Sequence, residues 1–132
     1  MIVLDASAAV AVLLNVGPEA ELIRERISQP EETLHVPHLF EIEVLHALRR
    51  NDLGGALPAE RARLALNRLC QTRLTRYPHT SFLGRIWELR ENLTAYDAAY
   101  VALAEVLNAP LVTTDARLAQ APGNRATVEL YQ

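Results

Sequence analysis

The sequence contains no lysine, and all thirteen of its basic residues are arginine. It has one cysteine, one tryptophan, 5% aromatic residues, and no apolar run long enough to cross a bilayer. Each shortage excludes something. A single cysteine rules out an internal disulfide framework and a cysteine-based zinc cluster, and leaves Cys70 to be read as a small core residue on a helix. The four histidines, His35, His38, His46 and His79, lack zinc-ligand spacing and read as surface or core residues. The N-terminal apolar run lacks a basic leader, carries Asp5 within it and is too short to span, so a cytoplasmic protein with no membrane association is expected. A net charge of −3 argues against a broadly basic nucleic-acid clamp but says nothing of a local patch. Arginine's bidentate fork suits phosphate contacts, although biased genome composition accounts for the missing lysine equally well.

What is present points to one globular domain over residues 1–132: half the residues are hydrophobic, and neither a repeat nor a linker interrupts them. Only four aspartates occur, Asp5, Asp52, Asp97 and Asp115, and three of them fall at the ends of expected elements. Met1 to Leu14 organises the rest. Ile2, Val3 and Leu4 read as a buried strand that ends in Asp5, and the small residues Ala6 to Ala9 let a helix start close to that end. Asp5 is then either a helix N-cap or a group pointing into the site that α/β sheets form at the carboxyl ends of their strands.

Further along, helices are expected over Pro18 to Ile27, Pro37 to Arg50, Ala59 to Arg73 and Thr80 to Glu91, with Trp87 in the core. Short strands are expected at Leu34 to Val36 and Leu74 to Tyr77. At about 100° per residue, Glu41 falls among Leu45 and Leu48, whereas Glu43 shares a face with His46 and Arg50. On that periodicity Glu43 reads as an ordinary solvated glutamate. The pair of helices around Gly54 and Gly55 carries more apolar residues than one buried face needs, which suits a dimer or partner surface.

Thr94 to Leu107 begins with an N-cap threonine and has Asp97 three residues on, the capping-box spacing. Its alanines keep the helix thin enough for close approach to a sheet. Leu111 and Val112 then form a strand that runs through Thr113 and Thr114 into Asp115 and a further helical stretch, repeating the arrangement of Asp5, and Thr127 to Leu130 offers an edge strand. Alternating strands and helices imply an α/β fold with a parallel sheet, placing Asp5 and Asp115 on one side of it. Carboxylates gathered in one cleft oppose one another's ionisation unless a cation neutralises them, and oxygen-only ligands suit Mg²⁺ or Mn²⁺.

In order, the segments MIVLDASA, VPHLFEIEVLHALRR, YDAAYVALAE and LVTTDARL resemble the PIN-domain ribonucleases, and within them the VapC toxins of toxin–antitoxin systems. The four span nearly the whole chain at the family's separations. The resemblance implies a PIN-like three-layer sandwich with a short, mostly parallel central sheet flanked by helices. It maps the family's catalytic acids onto Asp5, Glu43, Asp97 and Asp115, deciding for Glu43 over Glu41, and assigns metal binding to Asp5, Asp97 and Asp115. Ser7 and Thr113 take the supporting hydroxyl positions, with Thr114 beside them, and His46 stands where the family often has asparagine. The implied activity is a Mg²⁺-dependent endoribonuclease, with Mn²⁺ as a substitute, that cleaves a structured RNA such as a tRNA or rRNA loop by metal-activated water. Arg117 is the first candidate for gripping substrate. The implied partners are the RNA, a VapB-type antitoxin and a second copy of the chain. A haloacid-type phosphatase would need an aspartate where Ser7 stands and a downstream lysine. The alternative that survives is a catalytically silent PIN-like RNA- or protein-binding module.

Overall fold

The computed structural model describes residues 1–132. Five short strands, β1 (Ile2–Leu4), β2 (Leu34–Pro37), β3 (Thr75–Tyr77), β4 (Leu111–Thr113) and β5 (Val128–Leu130), form one parallel sheet in the order β3-β2-β1-β4-β5. Val3 pairs with His35 on one side and Leu111 on the other, so β1 is central. Its three side chains are all buried, as a strand covered on both faces requires.

Seven helices connect the strands: α1 (Ala6–Leu14), α2 (Glu19–Ile27), α3 (Phe40–Leu53), α4 (Ala59–Gln71), α5 (Leu83–Glu88), α6 (Ala95–Leu107) and α7 (Ala116–Gln120). Parallel crossovers are right-handed. The connections from β1 to β2 and from β2 to β3 run one way along the sheet, which sets α1 to α4 on one face. Those from β3 to β4 and from β4 to β5 run the other way, which sets α5 to α7 on the opposite face. The chain therefore reverses direction between the adjacent strands β1 and β4, the point where such sheets open a crevice at their carboxyl ends.

Local sequence explains most boundaries. Asn15 and Asn108 take the left-handed conformation that ends α1 and α6, a role asparagine fills where glycine is absent. The helix expected from Pro37 instead starts at Phe40. Pro37 still pairs with Tyr77, and the His38 amide donates to the Tyr77 carbonyl, so β2 holds the chain extended up to that point. Leu53 rather than Arg50 ends the same helix, and α4 stops at Gln71. The helix expected over Thr80 to Glu91 breaks into a 3-10 turn at His79–Phe82 followed by the short α5.

Two core expectations are overturned along with these boundaries. Trp87 is 67% exposed and lies under the Arg90 guanidinium, because the break in the helix turns Phe82 and Leu89 inward instead. Cys70 is exposed, since the buried stripe of α4 runs through Ala65 and Leu69 and leaves the next residue facing solvent. Leu64 and Leu66, also on α4, remain substantially exposed.

The alanine-rich α6 is buried from Ala98 to Ala104 and packs against β1, β2 and β4. Its small side chains allow that approach. Ala102→Leu is expected to lower stability by about 1–3 kcal/mol, read as the midpoint of urea unfolding. An unchanged midpoint would mean that the helix can back away from the sheet without cost.

Candidate active site

Asp5 ends β1 and is only 4% exposed. Its amide donates to the Val112 carbonyl at 3.0 Å, which fixes the strand end against β4. Ser7 Oγ donates to Asp5 Oδ2 at 2.6 Å and Thr113 Oγ1 donates to the same oxygen at 2.7 Å. Hydrogen bonds to a charged carboxylate contribute about 1.5–3 kcal/mol each and offset part of the cost of burial. Burial pushes the Asp5 carboxyl up all the same, with Asp115 adding to the rise and the two hydroxyls and the Ala6 amide opposing it. As both hydroxyls bond Oδ2, the other oxygen has no side-chain partner. Asp5 occupies the N-cap position of α1 without making a side-chain cap, which removes the plain capping interpretation.

The hydroxyls continue into β4. Thr113 Oγ1 accepts from the Asp115 amide at 3.0 Å, and Ser7 Oγ accepts from the Thr114 amide at 3.1 Å. Thus Ser7 and Thr113 tie the ends of the two neighbouring strands together through Asp5. Asp115 itself caps α7, accepting from the Arg117 amide at 2.9 Å. Asp97 enters from the opposite helical layer, in the first turn of α6, where Thr94 Oγ1 caps its amide at 3.1 Å. Burial pushes the Asp97 carboxyl up, and Asp5 and Asp115 push it further.

Glu43 and Glu41 separate cleanly. Glu41 makes a bidentate surface pair with Arg76 at 2.7 and 2.9 Å, which holds its carboxyl below the usual range. Glu43 does share a face with His46 and Arg50, but that face borders the crevice, so it is not the solvated glutamate that periodicity alone suggests. Burial pushes its carboxyl up to about 7, with Asp5 and Asp97 contributing and Tyr100 opposing.

Tyr100 is a site residue that sequence reasoning missed. One turn beyond Asp97, in a run of alanines, it reads as core, and it is indeed completely buried. Its hydroxyl nevertheless faces the Glu43 carboxyl and favours its charged form. The contact falls short of full hydrogen-bond geometry, and Tyr100 Oη and Glu43 Oε1 are buried without any other partner.

Together Asp5, Glu43, Asp97 and Asp115 line one cavity of about 340 Å³, with Ser7 and Arg50 also on its walls. All donors aimed at it are oxygens, which suits a hard cation. Arg117 is not among the walls. Its side chain is 91% exposed, with Asp115 as its ion-pair partner at 3.6 Å. Arg50, seven residues after Glu43 on the same helical face, stands at the cavity instead.

Because the raised acids bind protons more tightly in the folded state, the stability they contribute is present at low pH. It is lost as pH rises through the folded value, about 7 for Glu43. In chelator, Tm is expected to fall between about pH 5 and about pH 8. Glu43→Gln should flatten that fall and raise Tm at its alkaline end, while Tyr100→Phe, which removes the opposing hydroxyl, should move the fall to higher pH. A Glu43→Gln profile that tracks wild type would show that this carboxyl is not strained.

Comparison with known proteins accords with this geometry. The PIN domain family model matches residues 2–124. Ribonuclease VapC9 of Mycobacterium tuberculosis is 51% identical over 118 residues, covering 89% of this chain and 88% of that protein. Among solved structures, VapBC2 from Rickettsia felis, crystallised bound to a DNA fragment from its promoter, superposes with a TM-score of 0.70 at 16% identity, covering all of both chains. Mycobacterium tuberculosis VapC20, described as a sarcin–ricin loop cleaving toxin, has a TM-score of 0.68 at 16% identity, covering 90% of this chain and 93% of that one. With its four acids at the switch point of a parallel sheet and a family match along nearly its whole length, the chain belongs to the PIN-domain family, among relatives named VapC ribonucleases.

Proposed function

We propose that this protein is a Mg²⁺- or Mn²⁺-dependent endoribonuclease, the toxin of a cytoplasmic toxin–antitoxin pair, acting on a structured RNA. The observation that carries the reading is the convergence of four carboxylates, from four separate elements, on one cavity. Curated relatives named ribonucleases at 51% identity support the choice of RNA as substrate.

The donor set fits a divalent cation. Glu43 Oε1 is buried without a partner, and Asp5 has one oxygen outside its hydroxyl bonds. No three of the acids converge tightly enough to enclose an ion unaided. Mg²⁺ is commonly held by one or two carboxylates with water completing its shell, so the looser arrangement suits it. Asp5 and Asp97 would be the direct ligands, with Asp115 and Glu43 acting directly or through water. Once bound, the cation supplies an acidified water and neutralises charge on the phosphate oxygens.

The chain's own residues do the rest. Ser7 and Thr113 hold the Asp5 carboxylate rigidly at the strand end, so its geometry is set before substrate arrives. Glu43, whose carboxyl burial lifts to about 7, would accept a proton from the attacking water when ionised. That water's oxygen bonds to phosphorus as the bond to the 3′ oxygen breaks, and the leaving oxygen takes up a proton. The products carry 5′-phosphate and 3′-hydroxyl ends.

The same concentration of negative charge is a receptor for an arginine on a VapB-type antitoxin, which would silence the site by supplying the missing positive charge. Exposed Leu53, Leu64 and Leu66 on α3 and α4 support a homodimer or antitoxin-covered face.

Purified protein incubated with total RNA is expected to make discrete cuts with Mg²⁺ or Mn²⁺ and none with chelator. Asp97→Asn, checked for unchanged folding, should lower the rate by at least about a hundredfold, and sequencing the new ends would name the RNA. Equal cutting by wild type and Asp97→Asn would remove the four-acid site from the chemistry, and no cutting by either while both still bind RNA would sink the nuclease reading in favour of a silent binding module.

A further inference from the structure

Beside the acid cavity, and sharing Glu43, Asp97 and Arg50 with it, lies a second and larger cavity of about 520 Å³ between α3 and the start of α6. Its size falls within the range of about 300–1,000 Å³ typical of small-ligand pockets. Its two apolar lining residues are largely open to solvent, Tyr96 at 64% and Ile42 at 69% exposure. Tyr96 precedes Asp97 directly, so the reactive carboxylate and the exposed ring leave the same helical turn in adjacent directions.

Arg50 is the second observation. It lines both cavities, yet its guanidinium makes no ion pair, although Glu43 and Asp97 share those walls. By contrast, Arg26, Arg76 and Arg85 are each engaged by carboxylates elsewhere on the surface. An unengaged guanidinium on the wall between the two cavities favours a phosphate, which it can grip with two parallel bonds. A flat exposed ring lining the same cavity as such a cation matches the stacking platform and electrostatic funnel of single-stranded nucleic-acid sites.

We propose that the outer cavity is a nucleotide subsite: the base next to the scissile phosphate stacks on Tyr96, with Ile42 as the opposite wall, and Arg50 holds the phosphate between the two cavities. The inference rests on the nuclease reading and deepens it, for it requires the cut to fall in an unpaired segment where that base can leave its neighbours. Stacking tolerates any base, so the subsite selects single-strandedness more than sequence.

The test uses wild-type protein in calcium buffer with a short single-stranded RNA carrying one 5-iodouridine, followed by ultraviolet crosslinking and peptide mapping. A crosslink on Tyr96 is expected. With the same RNA labelled by fluorescein, Tyr96→Leu should weaken binding by roughly tenfold, and Tyr96→Phe, which keeps the ring, should restore most of it. Arg50→Ala should weaken binding and lower the salt slope by about one. Crosslinks confined to other residues, or Tyr96→Leu binding RNA as wild type does, would overturn the subsite. So would loss of antitoxin binding in Tyr96→Leu with RNA binding unchanged, which would hand the pocket to a peptide. Failure of the nuclease reading looks different, because total RNA would then stay uncut by wild type whatever the crosslink reports.

Discussion

Everything distinctive in this molecule follows from holding like charges together. Asp5, Glu43, Asp97 and Asp115 share one partly buried cavity, and two causes, burial and mutual repulsion, push the carboxyls of Asp5, Glu43 and Asp97 above their usual range. A fold that tolerates this must supply rigidity, since a flexible site would relax by moving the acids apart. It does so by fixing each carboxylate to a different element: the end of β1, the first turn of α3, the first turn of α6 and the cap of α7. No single helix movement disperses the cluster. The Ser7 and Thr113 hydroxyls brace the most buried member, Asp5, and through the amides of Thr114 and Asp115 lock it to the neighbouring strand.

The sheet is short because its purpose is placement. Strands of three or four residues do little more than deliver their carboxyl ends to the reversal between β1 and β4. Most of the packing comes from the helices, above all α6, whose alanines bring the Asp97 turn close to β1 and β4. Substituting bulk into α6 and removing a carboxylate from the cavity therefore act on stability in opposite directions. One disrupts the packing that enforces the strain, and the other relieves the strain itself. Active sites assembled this way commonly trade stability for function.

Much of this is legible from residues alone, for reasons that also explain the failures. A carboxylate directly after a short apolar run, followed by small residues, can hardly be anything but a strand end passing into a helix, so Asp5 and Asp115 declare their positions. Thr94 and Asp97 declare a helix start through their spacing. Glu43 does not, because periodicity sorts a helix into apolar and polar faces but cannot distinguish a polar face turned to solvent from one turned into a crevice. Only the resemblance to a family chose it over Glu41. Tyr100 was hidden for the converse reason, since a tyrosine amid buried alanines looks like packing and its hydroxyl's neighbour lies on another helix. Trp87 and Cys70 misled because each was referred to an expected helical stripe that the chain breaks or rotates away from.

Charge accounting leads to the last step. Arg26, Arg76 and Arg85 are tied to Glu129, Glu41 and Glu105 at positions remote from the cavity, so these basic residues do nothing to neutralise it. Arg117 does approach Asp115, but at 3.6 Å and 91% exposure such a contact contributes at most about 1 kcal/mol. Arg50 stands close by without pairing. Asp5, Glu43 and Asp97 thus have no ion-pair partner within the chain, and most of the compensation for the cavity's negative charge has to come from outside it. Protons are one answer to that demand; in the proposed function a divalent cation and the arginine of an antitoxin would be two others, and all three would compete for the same oxygens. On that proposal inhibition would require no conformational signal, because a partner that satisfies the carboxylates would remove the reason for a metal to bind.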